Sequence, residues 1–157
     1  ITQALLLAAD IPVFAGVGGG LTKGQRVVNL AMFAEMQGAT GVVLNAPTAN
    51  AVVQHVAETI DIPVVLTVAR ADTDFEARLQ AGANIFNVSA AAETPAIVRS
   101  IRERYPDVPI IATGGPTDES ILETIQAGAN AITWTPPSNG EIFRDIMAAY
   151  RENKPHP

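Results

Sequence analysis

Two short patterns alternate along this chain, three times each, and their alternation limits the fold more than any single motif. "DIPVF" at residue 10, "DIPVV" at 61 and "DVPII" at 107 open one kind of apolar run. "QGATGVV", "AGANIFN" and "AGANAIT", starting at Gln37, Ala81 and Ala127, open the other. The six runs cover 11–17, 41–46, 62–68, 84–89, 108–114 and 130–135, and an amphipathic stretch follows each. They are nearly continuous in apolar residues and rich in valine and isoleucine, as strands of a parallel sheet covered by helices must be. The repeating block is βαβα, roughly 45 residues long. A closed (β/α)8 barrel fills its interior with layers drawn alternately from odd and even strands, and the two run types match that rule. Four such blocks close a barrel, and three are present. The fold expected is an α/β (β/α)8 TIM barrel represented by its last six βα units. An open doubly wound parallel sheet is the alternative. Residues 1–157 read as a single domain lacking N-terminal strands, because "ITQALLLAAD" reads as the end of a helix already under way.

The helices carry local signals. Gly38, Gly82 and Gly128 fit the left-handed position that ends a helix. Thr73 with Glu76, and Ser138 with Glu141, have the spacing of a capping box. Polar interruptions of the strands are rarer. Residues two apart on a strand share a face, so Ile85, Asn87 and Ser89 point one way while Phe86 and Val88 point the other. An amide in such a run needs partners. Asn87 is expected either to orient a ligand or to serve as a core amide bonded to neighbours such as Ser89.

Chemistry in either architecture sits at the carboxyl ends of the strands. Those ends hold Gly18 and Gly19, then Asn45, then Thr67 with Arg70, then Asn87 with Ser89. Thr113-Gly114-Gly115 follows, and last come Thr133 and Thr135 before Ser138. This is a ring of hydroxyls, amides and glycines. "TGGPTDES" and "TPPSNGE" lead straight into helices, where converging backbone amides suit a phosphate or carboxylate. "GVGGGLTKGQR" adds Lys23, one of two lysines in the chain. His55 reads as a surface residue of a helix, and His156 lies in a proline-rich tail. No Ser-His-Asp set and no metal-ligand spacing is present, so neither a metal nor another cofactor is expected.

Ten basic residues stand against sixteen acidic ones, a net charge of −6, which argues against nucleic acid and anionic membranes as partners. The absence of cysteine removes thiol nucleophiles and disulfides. No apolar run approaches the roughly 18 residues that span a bilayer. A cytoplasmic protein is expected, with a small anionic metabolite as its partner. Unpaired sheet edges lead us to expect a homo-oligomer.

From "PVFAGVGGG" to "TWTPPS" the chain resembles the KHG/KDPG aldolases, class I aldolases built on a phosphate-binding (β/α)8 barrel. "GVGG" is similar to the glycine-rich end of that family's third strand, and "VVLNAPT" to the end of its fourth. "PVVLTV" resembles the fifth, "ATGG" the phosphate-binding Thr-Gly-Gly of the seventh and "AITWTP" the eighth. "PVFAGVGGG" is also similar to the pyruvate-lyase barrels related to dihydrodipicolinate synthase. The resemblance implies an aldolase-like lyase or a hydrolase, with an anion held by Gly114, Gly115 and Ser138. It also places Asn87 where the family carries its Schiff-base lysine. Asparagine cannot form an imine, so a non-covalent role for Asn87 and Thr67 is expected, with Lys23 or Arg70 supplying charge. A metabolite-binding barrel without catalysis is the alternative.

Overall fold

Pro12, Pro63 and Pro109 set where three of the strands begin. A proline cannot donate to a sheet ladder, so β1 (Phe14–Gly18), β3 (Val64–Val68) and β5 (Ile110–Thr113) start only after it. The carbonyls of Pro63 and Pro109 still accept from Val42 and Phe86 of the neighbouring strands. Between these strands lie β2 (Gly41–Leu44), β4 (Ile85–Val88) and β6 (Ala131–Thr133). The computed structural model describes residues 2–134 and 138–153.

All six strands are parallel, and they pair in sequence order from β1 to β6. That order excludes the doubly wound alternative, whose chain reverses direction about a central strand. The strands form a curled half-barrel of (β/α)8 type. Among the described residues no pairing joins β1 to β6.

Helix α1 (Thr2–Ala8) precedes β1; α2 (Gln25–Met36), α3 (Asn50–Ala57), α4 (Phe75–Gln80), α5 (Thr94–Arg104) and α6 (Asp118–Gln126) connect successive strands, and α7 (Asn139–Arg151) follows β6. Alternation along each strand then divides the side chains. Ala15, Val17, Leu44, Leu66, Phe86, Val88 and Ala112 are buried in one apolar cluster with Val27 and Ala31 of α2, Val56 of α3 and Ile97 and Ile101 of α5. The opposite, concave face carries Val43, Thr67, Ile85, Asn87, Ile111 and Thr113, each only partly buried. The core of this molecule is thus the layer between sheet and helices. Among the described residues of the first and last helices and the start of β1, apolar side chains stand exposed, including Leu7, Ile11, Phe14, Phe143, Met147 and Tyr150.

A device repeated in each βαβα block holds the strands level. The residue after each Gly-Ala pair reaches back to the preceding strand start: Thr40 Oγ1 accepts from Val13 N at 3.2 Å, Asn84 Oδ1 from Val64 N at 2.8 Å and Asn130 Oδ1 from Ile110 N at 2.9 Å. In return the backbone N–H of each donates to the carbonyl of the same residue, Val13, Val64 or Ile110. The preceding glycines make the turn possible, with φ of +90° at Gly38, +102° at Gly82 and +108° at Gly128. Arg102 of α5 reinforces the last clasp by donating to Asn130 Oδ1 at 2.7 Å and to the carbonyl of Gly128.

One expected cap is corrected. Thr73 does not cap α4; Asp74 does, accepting from Ala77 N at 3.0 Å, while Thr73 Oγ1 donates to the carbonyl of Arg70 at 2.7 Å. A carboxylate is the stronger acceptor for a first-turn amide, so the helix starts one residue later. The box at Ser138 and Glu141 does form, and an unforeseen one joins Thr117 and Ser120. No helix among the described residues is long and apolar enough to cross a membrane.

The clasp generates a prediction. Asn84→Ala leaves the amide of buried Val64 without an acceptor and should cost about 1–3 kcal/mol in urea denaturation. Asn84→Asp keeps the acceptor and should lose much less; equal losses in the two variants would show that the clasp is unimportant.

Candidate functional site

In-register pairing assembles the site. Thr67 stands opposite Asn87, Asn87 opposite Ile111, and Thr113 opposite Thr133, all on the concave face. Asn45 follows Leu44, the partner of Leu66, which sets it level with Thr67. Asn45, Thr67 and Asn87 therefore form one row, and Ser89, Thr113 and Thr133 the next toward the carboxyl ends.

Asn87 is the unusual member. Its Nδ2 donates to Thr67 Oγ1 at 3.3 Å. Its Oδ1 is buried and has no partner among the described residues. Ser89 does not supply one; it is exposed, and its backbone N–H serves the β3–β4 ladder by donating to the carbonyl of Val68. A buried amide oxygen left unpaired costs about 1–3 kcal/mol. Nδ2 also keeps a second N–H, so the side chain retains one donor and one acceptor without partners among the described residues.

Two cavities flank this row. One, of about 710 Å³, is bordered by Thr48, Asn50, Thr67, Arg70, Asp72 and Arg78 with their neighbours. The other, of about 590 Å³, lies at the ends of β4, β5 and β6 and is bordered by Ser89, Thr113, Gly115, Pro116, Thr133 and Trp134. A third, of about 360 Å³, adjoins the first through Thr48 and holds Lys23 with Gly19, Gly20 and Gly24. Lys23 thus sits beyond the β1 and β2 loops rather than in the row with Asn87.

The charged groups are largely committed to the protein itself. Arg70 makes a two-point contact with Asp72, Nε to Oδ1 at 2.9 Å and Nη2 to Oδ2 at 2.8 Å. The hydrogen bond, then the opposite charge, raises the affinity of Arg70 for its proton, and the same hydrogen bond holds the Asp72 carboxyl below its ordinary range. Arg78, which gave no signal in the sequence beyond its place in a helix, ties the β2–α3 loop together. It donates to the carbonyls of Thr48 and Ala46 and to Asn50 Oδ1.

The expected anion cradle is brought only partly together. Gly114 N donates to the carbonyl of Thr133 at 3.4 Å. Ser138 N and Oγ both donate to Glu141 Oε2 at 2.7 Å. Of these three backbone amides, only that of Gly115 has no partner among the described residues. Thr135 lies outside the described residues. No group of three or more acidic or histidine side chains that could hold a metal is gathered among the described residues.

The glycines of the first loop serve contact between loops. Gly18 and Gly19 have φ of +113° and +95°. A Cβ on Gly19 would overlap Thr48 Oγ1, and the carbonyl of Gly18 accepts from Asn45 N at 2.8 Å.

Parallel strands in sequence order with helices on the outer face define the chain as a (β/α)8-type half-barrel. No protein-family model matches it, and no curated protein matches it in sequence. Among solved structures, phosphoenolpyruvate phosphomutase from Streptomyces platensis subsp. rosaceus matches with a TM-score of 0.71 at 16% identity, over 98% of this chain and 67% of that one. Phosphonopyruvate hydrolase matches with a TM-score of 0.71 at 14% identity, over 98% of this chain and 65% of that one. KDPGal aldolase matches with a TM-score of 0.65 at 19% identity, over 96% of this chain and 75% of that one. These likenesses establish the fold, and the chain spans about two thirds to three quarters of the length of these proteins.

Two outcomes are expected here. Gly19→Ala forces a left-handed backbone onto a residue with a Cβ and pushes on Thr48, so the melting transition should fall by an amount equivalent to about 1–3 kcal/mol. Unchanged melting would mean that the two loops are not in contact. Hydrogen bonds from the Ser138 side chain, then its backbone, hold the Glu141 carboxyl below its ordinary value of 4.5. A lowered carboxyl stabilises the fold above its unfolded-state value and ceases to do so as pH falls through the lowered one. Protection factors of the amides at the start of α7, corrected for the intrinsic pH dependence of exchange, should therefore fall on acidification through that window, and a Glu141→Gln variant should show a flatter response.

Proposed function

We propose that the chain binds a small anionic metabolite, a keto acid or a phosphorylated acid, and polarises its carbonyl without a covalent intermediate, in a lyase, isomerase or hydrolase reaction. The observation that carries this is Asn87. It stands at the position the aldolase resemblance gives to an imine-forming lysine, and it holds a buried, unpartnered acceptor beside a spare N–H on the open face. A donor and an acceptor side by side suit a carbonyl that passes to an enol during reaction. Thr67 fixes the amide, and Asn45 extends the row. The free amide of Gly115, together with Lys23 or Arg70, would carry the anion; at Arg70 it competes with Asp72, and Gly114 and Ser138 enter only if their present hydrogen bonds open. Phosphoenolpyruvate and phosphonopyruvate, which give two of the fold neighbours their names, belong to the chemical class this reading requires.

One observation favours a second reading, a metabolite-binding barrel without turnover. Asp72 is paired with Arg70 and Asp74 caps α4, so the two acids bordering the larger cavity are engaged rather than poised as bases. Turnover and binding measured on the same sample separate the two.

Pyruvate and inorganic phosphate, titrated separately while amide resonances are followed, test the proposal. Pyruvate should shift Asn87 and its neighbours, and phosphate should shift Gly115. Asn87→Ala should weaken pyruvate binding by about 1–3 kcal/mol with little change in melting. A loss of stability with binding untouched would make Asn87 a structural amide. Borohydride with pyruvate should trap no adduct; one on Lys23 would overturn the non-covalent mechanism. The reading includes a homo-oligomer, and sedimentation as a monomer at every concentration would remove that part.

A further inference from the structure

Arg70 and Asp72 form the closest ion pair among the described residues, a two-point contact that the fold does not need for its own sake. The β3–α4 loop is closed without it. Thr73 N and Oγ1 both donate to the carbonyl of Arg70, at 3.4 and 2.7 Å, and Asp74 caps α4. The two paired side chains are 78% and 68% exposed, and ion pairs so open to water add little stability. Their place says more. Both border the cavity of about 710 Å³ that Thr67, the partner of Asn87, also borders. Both also border a neighbouring cavity of about 430 Å³ with Glu93, whose carboxylate has no hydrogen bond or ion pair among the described residues.

A guanidinium meets a carboxylate best through two parallel N–H donors. Asp72 already holds Nε and Nη2, an edge that a ligand carboxylate would use for the same contact. It follows Arg70 closely in the chain, so its effective concentration at the guanidinium exceeds that of a dissolved anion. A free carboxylate therefore meets an occupied fork. A ligand anchored through its carbonyl presents its carboxylate at a comparable effective concentration. Against so weak a pair, it can take the place of Asp72.

We propose that Asp72 is a built-in competitor that limits the affinity of the site: it occupies Arg70 until the carboxylate of an anchored ligand displaces it. The inference rests on the reading that a keto acid binds with its carbonyl at Asn87 and with Arg70 supplying charge. It adds the residue that sets how tightly such an acid is held.

Calorimetric titration of the intact protein with pyruvate tests it. Asp72→Asn should tighten pyruvate binding about two- to fivefold, the scale on which an exposed ion pair competes. Asp72→Glu keeps a carboxylate beside Arg70 and should bind pyruvate much as the parent does. Arg70→Gln should weaken binding, and in that background Asp72→Asn should bring no further gain. Glu93→Gln removes a neighbouring negative charge without freeing the guanidinium, and should leave pyruvate affinity near that of the parent. Because Arg70 and Asp72 are exposed and the loop is closed by Thr73 and Asp74, all these variants should melt close to the parent. No gain from Asp72→Asn, a gain that persists in Arg70→Gln, or an equal gain from Glu93→Gln would overturn the competition and leave the role of Asn87 standing. Failure of pyruvate to bind both the parent and Asp72→Asn would overturn both.

Discussion

The register between β3 and β4 is the constraint on which the candidate site depends. With Thr67 opposite Asn87, an amide and a hydroxyl meet on the concave face while Leu66 and Phe86 meet beneath the helices. A slip of one residue would exchange the faces of a strand, driving Asn87 into the apolar layer and Phe86 into the open cleft. The energy at stake is that of a buried amide without partners and of a large aromatic side chain left in water, several kcal/mol together. Register is therefore both a packing requirement and the source of the site. The clasps at Thr40, Asn84 and Asn130 pin it at the opposite end of the strands, where they fix each strand start to the turn entering its neighbour.

Division of labour between the two ends follows the usual logic of a (β/α)8 fold, in which one end supplies stability and the other chemistry. At the amino-terminal end Thr40, Asn84 and Asn130 close clasps, and Arg102 donates to carbonyls and to Asn130. At the carboxyl end the accounting is less complete. Asn87 Oδ1 is buried without a partner, and the Ser89 hydroxyl and the Trp134 indole, which border the cavity there, also lack one among the described residues. Incomplete pairing confined to one end of a sheet is where a ligand would find groups to bind.

Electrostatics at this end are muted. Arg70 is held by Asp72, Ser138 by Glu141 and Thr117 by Ser120, so capping and pairing absorb much of what could attract an anion. Helix starts closed by their own side chains offer a phosphate less than their backbone geometry alone suggests. Lys23, in the cavity bordered by Gly19, Gly20 and Gly24, has no ion pair among the described residues and keeps a positive charge at this end.

The alternation of "DIPV" and "GAN" patterns was enough to mark six parallel strands and the face each side chain takes, because burial on a sheet has a period of two and helix-ending glycines mark each return; their order, on which a barrel and a doubly wound sheet differ, was decided by the pairing. Gly38, Gly82 and Gly128 adopt the left-handed backbone their positions implied. The strand ends named the candidate residues, and the isolated amide in "IFNV" named the one on which the proposed function rests. Other matters were decided only by tertiary contacts. That Asp74 rather than Thr73 caps α4, that Asp72 holds Arg70 and that Glu141 occupies Ser138 are competitions among neighbouring donors and acceptors, resolved by distances of a few tenths of an ångström. The clasp residues Asn84 and Asn130 were visible as letters, but their partners lie 20 residues away and become neighbours only when the strands pair. Arg78 bracing the β2–α3 loop and Trp134 standing open beside three hydroxyls are likewise products of packing. A one-dimensional pattern carries periodicity and turn chemistry; which polar group is left without a partner depends on every other group that could have reached it.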